Sequence, residues 1–301
     1  MKEQFLTPPA GFLEEEVRCG YFVSPEMKRI WAVELDLLAK FQEVCEANGL
    51  TYWADGGTIL GAVRHKGFIP WDNDIDVCMP RPDYERFMEI GKTAFADPYF
   101  LQTPATEDGR YFTTWAKLCN SNTTGRGVDD FDKGINCGIF IDIFPFDRVP
   151  ERKIGRCIYF MKISSILKSA RFCFGAKPSG DFVQRVKFYC RRFVYKVAYG
   201  APDAGELFKM FNKAAALSWN SRTRLFGGVI FGYVEKYTWS YNDWSSATKM
   251  AFEYLSVPVP DGYDAILTRQ YGDYHAIPSD KSTHDYLDFN ADVPYSEYFR
   301  K

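Results

Sequence analysis

The segment Trp71-Asp72-Asn73-Asp74-Ile75-Asp76-Val77-Cys78-Met79 constrains this chain more than any other stretch. Three aspartates stand at alternate positions, and alternate residues of an extended strand share one face. Ile75, Val77 and Met79 fall on the opposite, apolar side, so the spacing predicts a strand over Asp74–Met79 with one acidic face. Three ionised carboxylates that close together repel strongly unless a cation joins them. Hard oxygen donors suit Mg²⁺ or Mn²⁺. A solvated turn explains a single Asp-x-Asp. It does not explain three alternate acids followed by an apolar strand.

The residues just upstream fit the same chemistry. Gly56-Gly57-Thr58 is a turn in which backbone N–H groups can approach phosphate oxygens, with the Thr58 hydroxyl beside them. A short helical piece follows to Val63, then the basic run Arg64, His65 and Lys66, read as positive charge for phosphate; a solvated loop is the plain alternative for His65. Farther along, Asn136–Phe144 is an apolar run broken by one charge, Asp142. A lone carboxylate in such a strand is costly to bury unless paired or ligated, which makes Asp142 a fourth member of the acidic set. Lys117 ends the apolar run Phe112-Thr-Thr-Trp-Ala and is a candidate phosphate contact. His284, in the polar tail, is a candidate donor or acceptor contact against a surface alternative. Trp53 and Trp71 flank the stretch: Trp53 reads as core, while Trp71 is a possible aromatic wall for a cationic group.

The remaining pattern places these residues on a mixed scaffold. Ser24-Pro25 is a helix start and Asn48-Gly49 a helix stop, with apolar residues at helical spacing between them. A strand is expected over 50–54, a helix over 82–94, strands over 99–102 and 112–119, a helix over 203–220 and a strand over 225–234. The first 24 residues read as an extended lead-in, and Tyr271 and Tyr274 as packing for a helix that begins near Tyr263.

Residues 151–200 differ in character: twelve Lys/Arg stand against two acids, Glu151 and Asp181, a net +10 in a chain whose total is −2. Two helices separated by 175–180 fit the periodicity. Their basic faces are either simply solvated or a surface for an anionic acceptor or anionic lipid headgroups. No run is long and apolar enough to span a membrane, and the first residues do not resemble a signal peptide. A cytoplasmic protein, peripheral at the inner membrane face, is the expectation. Eight scattered cysteines without a Cys-x-x-Cys pair are expected as thiols, and three histidines do not suggest zinc.

The run Gly56-Gly-Thr-Ile-Leu-Gly-Ala-Val-Arg-His-Lys-Gly-Phe-Ile-Pro-Trp-Asp-Asn-Asp-Ile-Asp-Val77 resembles the signature of the LicD family, which includes the fukutin-related transferases. The resemblance extends through 116–124, 138–147, 257–264 and 271–274, and reaches Pro278 and His284, but not the basic middle. It implies an α+β, nucleotidyltransferase-like mixed-sheet core with flanking helices, in one catalytic domain over 1–301 with 151–220 as a helical subdomain. Carried over by position, Asp72, Asp74, Asp76 and Asp142 are the implied metal ligands and catalytic acids, with Asp142 or Asp72 doubling as base. Gly56, Gly57 and Thr58 are the implied donor-phosphate turn. Asn73 and Cys119 depart from the family's usual Asp and Arg.

The implied reaction transfers a phospho-alcohol group, phosphocholine in the first instance, from a CDP-linked donor to a hydroxyl of a cell-surface glycan or lipid-linked glycan, such as lipopolysaccharide, teichoic acid or capsule, with release of CMP. No nucleic-acid partner is implied. Two other readings compete with it: nucleotidyl transfer from an NTP to a small acceptor, and non-catalytic binding of an anionic polymer. Four convergent acids argue against a mere binder.

Overall fold

The computed structural model describes residues 5–126, 128–170, 174, 181–200, 202–219, 223–231, 237–279, 281 and 288–300. A hairpin of β1 (Glu16–Arg18) and β2 (Tyr21–Val23) precedes α1 (Pro25–Asn48), β3 (Trp53–Ala54), α2 (Gly56–His65), β4 (Asp76–Pro80) and α3 (Arg81–Ala94). Next come β5 (Tyr99–Gln102), β6 (Ala116–Asn120), β7 (Thr124–Gly125), the one-turn α4 (Val128–Phe131) and β8 (Ile139–Val149). Helices α5 (Lys153–Ala170), α6 (Phe182–Tyr199) and α7 (Ala204–Ala215) lead to β9 (Leu225–Gly227) and β10 (Thr238–Ser240). A second hairpin, β11 (Ala247–Phe252) with β12 (Leu255–Pro260), is followed by α8 (Tyr263–Tyr271), β13 (Phe289–Asn290) and α9 (Tyr295–Tyr298).

The fold is α+β, built on a mixed seven-stranded sheet whose main path runs β10-β9-β8-β4-β3. β8 organises it. Along one edge β8 pairs in parallel with β4. Its other edge is shared by β6, antiparallel over Ile139–Ile143, and β9, antiparallel over Asp147–Val149. β5 extends the sheet beyond β6, and β3 caps the far side of β4.

Local chemistry sets the long helix. The Ser24 hydroxyl accepts from the Met27 N–H at 3.3 Å, Pro25 occupies the first turn, and Gly49 at φ 60 ends α1 in the left-handed region. α1 turns Trp31, Leu35, Leu38 and Phe41 into the core against the sheet. Trp31 stacks on Phe68 with centroids 4.7 Å apart and donates its indole N–H to the Asp72 carbonyl at 2.8 Å. The long helix therefore fixes the loop that carries the acids.

Several expectations shift. The strand foreseen from Asp74 begins at Asp76, and that foreseen from Phe112 begins at Ala116. The helix over 203–220 gives way to a 3₁₀ turn at Ala216–Ser218, and the strand from Leu225 ends at Gly227, before a 3₁₀ turn at Val229–Phe231. Both hairpins were unforeseen. Pro258 and Pro260 are accommodated in β12 because, among the described residues, it pairs with β11 alone, where a missing N–H costs little.

On the other face of β8 from Asp142, the carboxylate of Asp147 makes a two-pronged ion pair with Arg81 at the start of α3. Nε–Oδ1 is 2.8 Å and Nη2–Oδ2 2.6 Å, with the side chains 1% and 0% exposed. Arg81 also donates to Asn212 Oδ1 of α7 at 2.6 Å, joining sheet and helices.

Candidate active site

Three strands place one charged row across the sheet. In the parallel pairing of β4 with β8, Asp76 lies opposite Asp142. In the antiparallel pairing of β6 with β8, Lys117 lies opposite Asp142. The Lys117 ammonium stands 2.8 Å from Asp142 Oδ1, and the Trp115 indole N–H donates to the same oxygen at 2.6 Å. Lys117 is buried and rests 3.4 Å above the Phe140 ring. Burial lowers its proton affinity, while Asp142 works to restore it.

Asp72 and Asp74 lie on the loop leading into β4 rather than on the strand. The alternation survives: Asp72, Asp74 and Asp76 are half-buried, while Asn73, Ile75 and Val77 are buried. Asp72 is held well above the usual carboxylate range by burial, then by the charge and hydrogen bond of Asp74. Asp76 is pushed the same way by burial, then by Asp74, Asp142, Asp55 and Asp72.

The glycine turn lies directly against these acids. Gly56 has φ +49, and a Cβ there would meet Asp76 Oδ2 at 3.3 Å; a Cβ on Gly57 would meet Asp72 Oδ2 at 2.9 Å. Only glycine lets the N-terminus of α2, with its positive dipole end, approach both carboxylates this closely. The Thr58 hydroxyl accepts the Asp76 N–H at 2.8 Å, which ties the turn to the first residue of β4.

The basic run is not brought to the acids. Arg64 and His65 form the last turn of α2, at the opposite end from the glycines, and Lys66 is its exposed left-handed cap. Arg64 spends its guanidinium on the carbonyls of Tyr274 at 2.8 Å and Ala276 at 3.1 Å, and on His65 Nε2 at 2.8 Å. His65 is lowered to about 4 by burial and by the charges of Arg64 and Arg18, so it is neutral at physiological pH. Trp53 packs in the core on Trp244 with centroids 5.6 Å apart. The face of Trp71 is covered by the Lys281 ammonium, 5.5 Å from its centroid. His284 lies outside the described residues.

Sequence reasoning missed five participants. Asp55 caps α2, accepting the Gly56 N–H at 2.8 Å, and burial pushes its carboxyl up to about 7. The Tyr271 hydroxyl, expected in packing, comes within 3.9 Å of a Cβ built on Gly56, and burial with Asp55, Asp76 and Asp72 raises its pKa. Arg126, 4% exposed, shares the Phe140 ring with Lys117 and donates to Gln102. Trp115 orients Asp142, as described. Glu34, on the buried side of α1, is 1% exposed with Oε2 lacking a partner. Its carboxyl is held far above the ordinary range by burial, then by Asp74, Asp72, Asp76 and Asp142. Only Asp55, next to a glycine pair at a helix start, carried a sequence signal.

Among the described residues no three acid, cysteine or histidine side chains are drawn in tightly enough to form a ready-made metal cage. The donor set nevertheless fits a hard divalent cation in its chemistry. It is all oxygen, two of its carboxyls are forced toward protonation by burial and then by their acidic neighbours, and a further buried carboxylate oxygen behind it is unpartnered. Asp72, Asp74 and Asp76 are the residues that could hold such an ion. Asp142 is already engaged by Lys117 and Trp115.

Residues 49–160, which contain α2, β4, β6 and β8 and hence the whole row, match the family model described as LicD/FKTN/FKRP, nucleotidyltransferase domain. The chain is 39% identical over 117 residues to the lipopolysaccharide cholinephosphotransferase LicD of Haemophilus influenzae, covering 39% of this chain and 43% of that protein. It is 56% identical over 34 residues to the human ribitol 5-phosphate transferase FKRP, covering 11% of this chain and 7% of that protein. It is also 28% identical over 110 residues to mannosyltransferase regulator 4 of Saccharomyces cerevisiae, covering 36% of this chain and 9% of that protein. The matched segment thus spans less than half the length of each of these relatives. That segment, which holds the acids, the glycine turn and the lysine together, is similar to the LicD/FKTN/FKRP nucleotidyltransferase domain.

Proposed function

We propose that the protein transfers a phospho-alcohol group from a CDP-linked donor to a hydroxyl of a glycan, with release of CMP. The observation that carries this reading is the row Asp76–Asp142–Lys117 beside the Gly56–Gly57 turn, a paired arrangement of acids and cation with helix N–H groups at its edge. Support for the transferred group comes from two relatives, a cholinephosphotransferase and a ribitol 5-phosphate transferase.

In this mechanism Asp72, Asp74 and Asp76 would hold Mg²⁺ or Mn²⁺, which when bound would neutralise donor phosphate charge. Lys117, kept in place by Asp142 and Phe140, binds a phosphoryl oxygen and stabilises the charge that develops there. The acceptor hydroxyl oxygen attacks the phosphorus bearing the alcohol as the bond from that phosphorus to the CMP oxygen breaks. Trp115 and Lys117 both engage Asp142 through Oδ1, which leaves Oδ2 to accept the hydroxyl proton. The half-buried aromatic rings of Trp115 and Phe140 beside the row restrict water as a competing acceptor.

The test is product analysis by mass spectrometry with CDP-choline, CDP-ribitol, CDP-glycerol and CTP, alongside Mn²⁺ titration calorimetry. Turnover of one CDP-alcohol to CMP is expected, lost together with Mn²⁺ binding in Asp74→Asn/Asp76→Asn. Release of pyrophosphate from CTP without CMP from any CDP-alcohol would replace this reading with nucleotidyl transfer. Normal Mn²⁺ binding by the double variant would remove the metal assignment.

A further inference from the structure

α6 has no buried residue among those described, yet it is rich in apolar side chains. Phe182, Val186, Tyr189, Phe193, Val194 and Val197 are each 43% to 81% exposed. At about 100° per residue they fall in one stripe roughly 140° wide. Cations border it on both sides: Arg185, Arg192 and Lys196 along one margin, Lys187 and Arg191 along the other. After the Asp181 cap the helix holds no acid. On α5, Ile154, Ile158 and Met161 add an exposed stripe at helical spacing, 79%, 63% and 66% exposed. Beside it Lys153, Arg156 and Lys168, with Ser164 and Ser165, line a groove of about 600 Å³. Opposite it, the buried face of α5 packs on α7, with the Tyr159 hydroxyl donating to the Ala215 carbonyl at 2.9 Å.

An apolar area this large does not stay bare in water without a purpose. A second copy of the chain is a poor cover, because pairing two such stripes brings Arg and Lys margins against Arg and Lys. A crossing helix is excluded for the described residues, since none is long and apolar enough. An apolar stripe with basic margins is the arrangement that lies flat in a bilayer interface, its apolar residues among the acyl chains and its long cations reaching out to lipid phosphates. The net +10 of residues 151–200 complements an anionic leaflet.

We propose that α5 and α6 form a membrane-docking surface that seats the protein on an anionic phospholipid bilayer without spanning it. Docking is independent of the transferase reading, and its test reads binding alone. The purified full-length protein is co-sedimented with vesicles of phosphatidylcholine and of phosphatidylcholine mixed with phosphatidylglycerol, at low and high salt. Binding to the anionic vesicles should exceed that to the neutral ones by at least about tenfold and weaken with salt. Phe193→Asp with Val194→Asp should reduce partitioning by on the order of 100-fold. Both positions are more than 60% exposed, so its circular dichroism and melting should match the parent. Arg191→Gln, Arg192→Gln and Lys196→Gln together should abolish only the preference for anionic lipid, which tests the surface even if the first variant misfolds. The proposal falls if the parent binds neither vesicle, or if the first variant binds undiminished. It also falls if sedimentation velocity without lipid shows a stable oligomer that the first variant dissolves, which would make the surface a self-association face.

Discussion

Replacing Asp55 with asparagine should raise the stability of the metal-free protein at neutral pH and change it little in acid. Asp55 is 8% exposed, and burial pushes its carboxyl up to about 7 from an ordinary 3.8, with the Gly56 N–H pulling the other way. In the unfolded chain the group titrates near 3.9. Between those values the folded state keeps a proton that the unfolded state has released. Its contribution is therefore complete below about pH 4 and is lost as pH rises through about 7. A displacement of roughly three pH units, at 1.36 kcal/mol each, amounts to about 4 kcal/mol by pH 8. Asparagine retains the acceptor oxygen that caps α2 and ranks with aspartate as an N-cap, but carries no charge. Asp55→Asn should thus gain about 3–5 kcal/mol at pH 8, falling to about a third of that at pH 5. In a chain of this length that corresponds to a melting temperature raised by roughly 6–10 °C at pH 8. The assay is a series of thermal melts from pH 5 to pH 8 in the presence of EDTA, for parent and variant. A difference that stays constant with pH, or a variant less stable at pH 8, would refute burial of an uncompensated carboxyl as the cause.

Three further perturbations test other parts of the structure. Arg81→Met leaves the fully buried Asp147 without its partner and should cost about 3–5 kcal/mol in urea denaturation; a loss under about 1 kcal/mol would show that the pair contributes little. Trp115→Phe keeps the ring beside Phe144 but removes the 2.6 Å donor to Asp142, a charged hydrogen bond of about 1.5–3 kcal/mol. Transfer should slow by about 10- to 100-fold while melting falls by only about 3–6 °C, and an unaltered rate would mean that Trp115 does not orient Asp142. Gly57→Ala puts a methyl 2.9 Å from Asp72 Oδ2, forcing that carboxylate aside, and should weaken Mn²⁺ binding about tenfold by calorimetry; equal affinity would place Asp72 outside the ion's reach.

What could be read in the chain beforehand follows from how local each signal is. α1 was legible because Ser24, Pro25 and Gly49 mark its ends within a few residues, and the acidic loop because its alternation survives even where the strand does not. Asp142 was legible because a charge inside an apolar strand demands a reason. The partners were harder to see. Lys117 is joined to Asp142 by strand pairing, which no spacing in the sequence expresses, and Arg126 meets Lys117 only through a shared Phe140 face. Glu34 carries no signal of burial in the sequence, because a charged residue within a helix is ordinarily solvated. It is buried because α1 is covered on more than one side, with Lys28, Glu34 and Asp36 all withdrawn from solvent. The basic run misled for the opposite reason: residues adjacent to the glycine turn in sequence are carried to the other end of α2 by the helix itself.

The two faces of β8 divide their duties in a way that bears on which changes the gene can tolerate. Asp142 and Asp147 lie five positions apart on one strand and therefore point to opposite sides of the sheet. The Arg81 clasp on Asp147 acts as an index pin: a slip of β8 by one residue would break that ion pair and at the same time present an isoleucine where the row needs Asp142. Exchanges among the apolar residues between the two aspartates should be absorbed as modest losses of packing. An insertion or deletion of one residue there should be lethal to the site, because it throws the clasp and the acid row out of phase together.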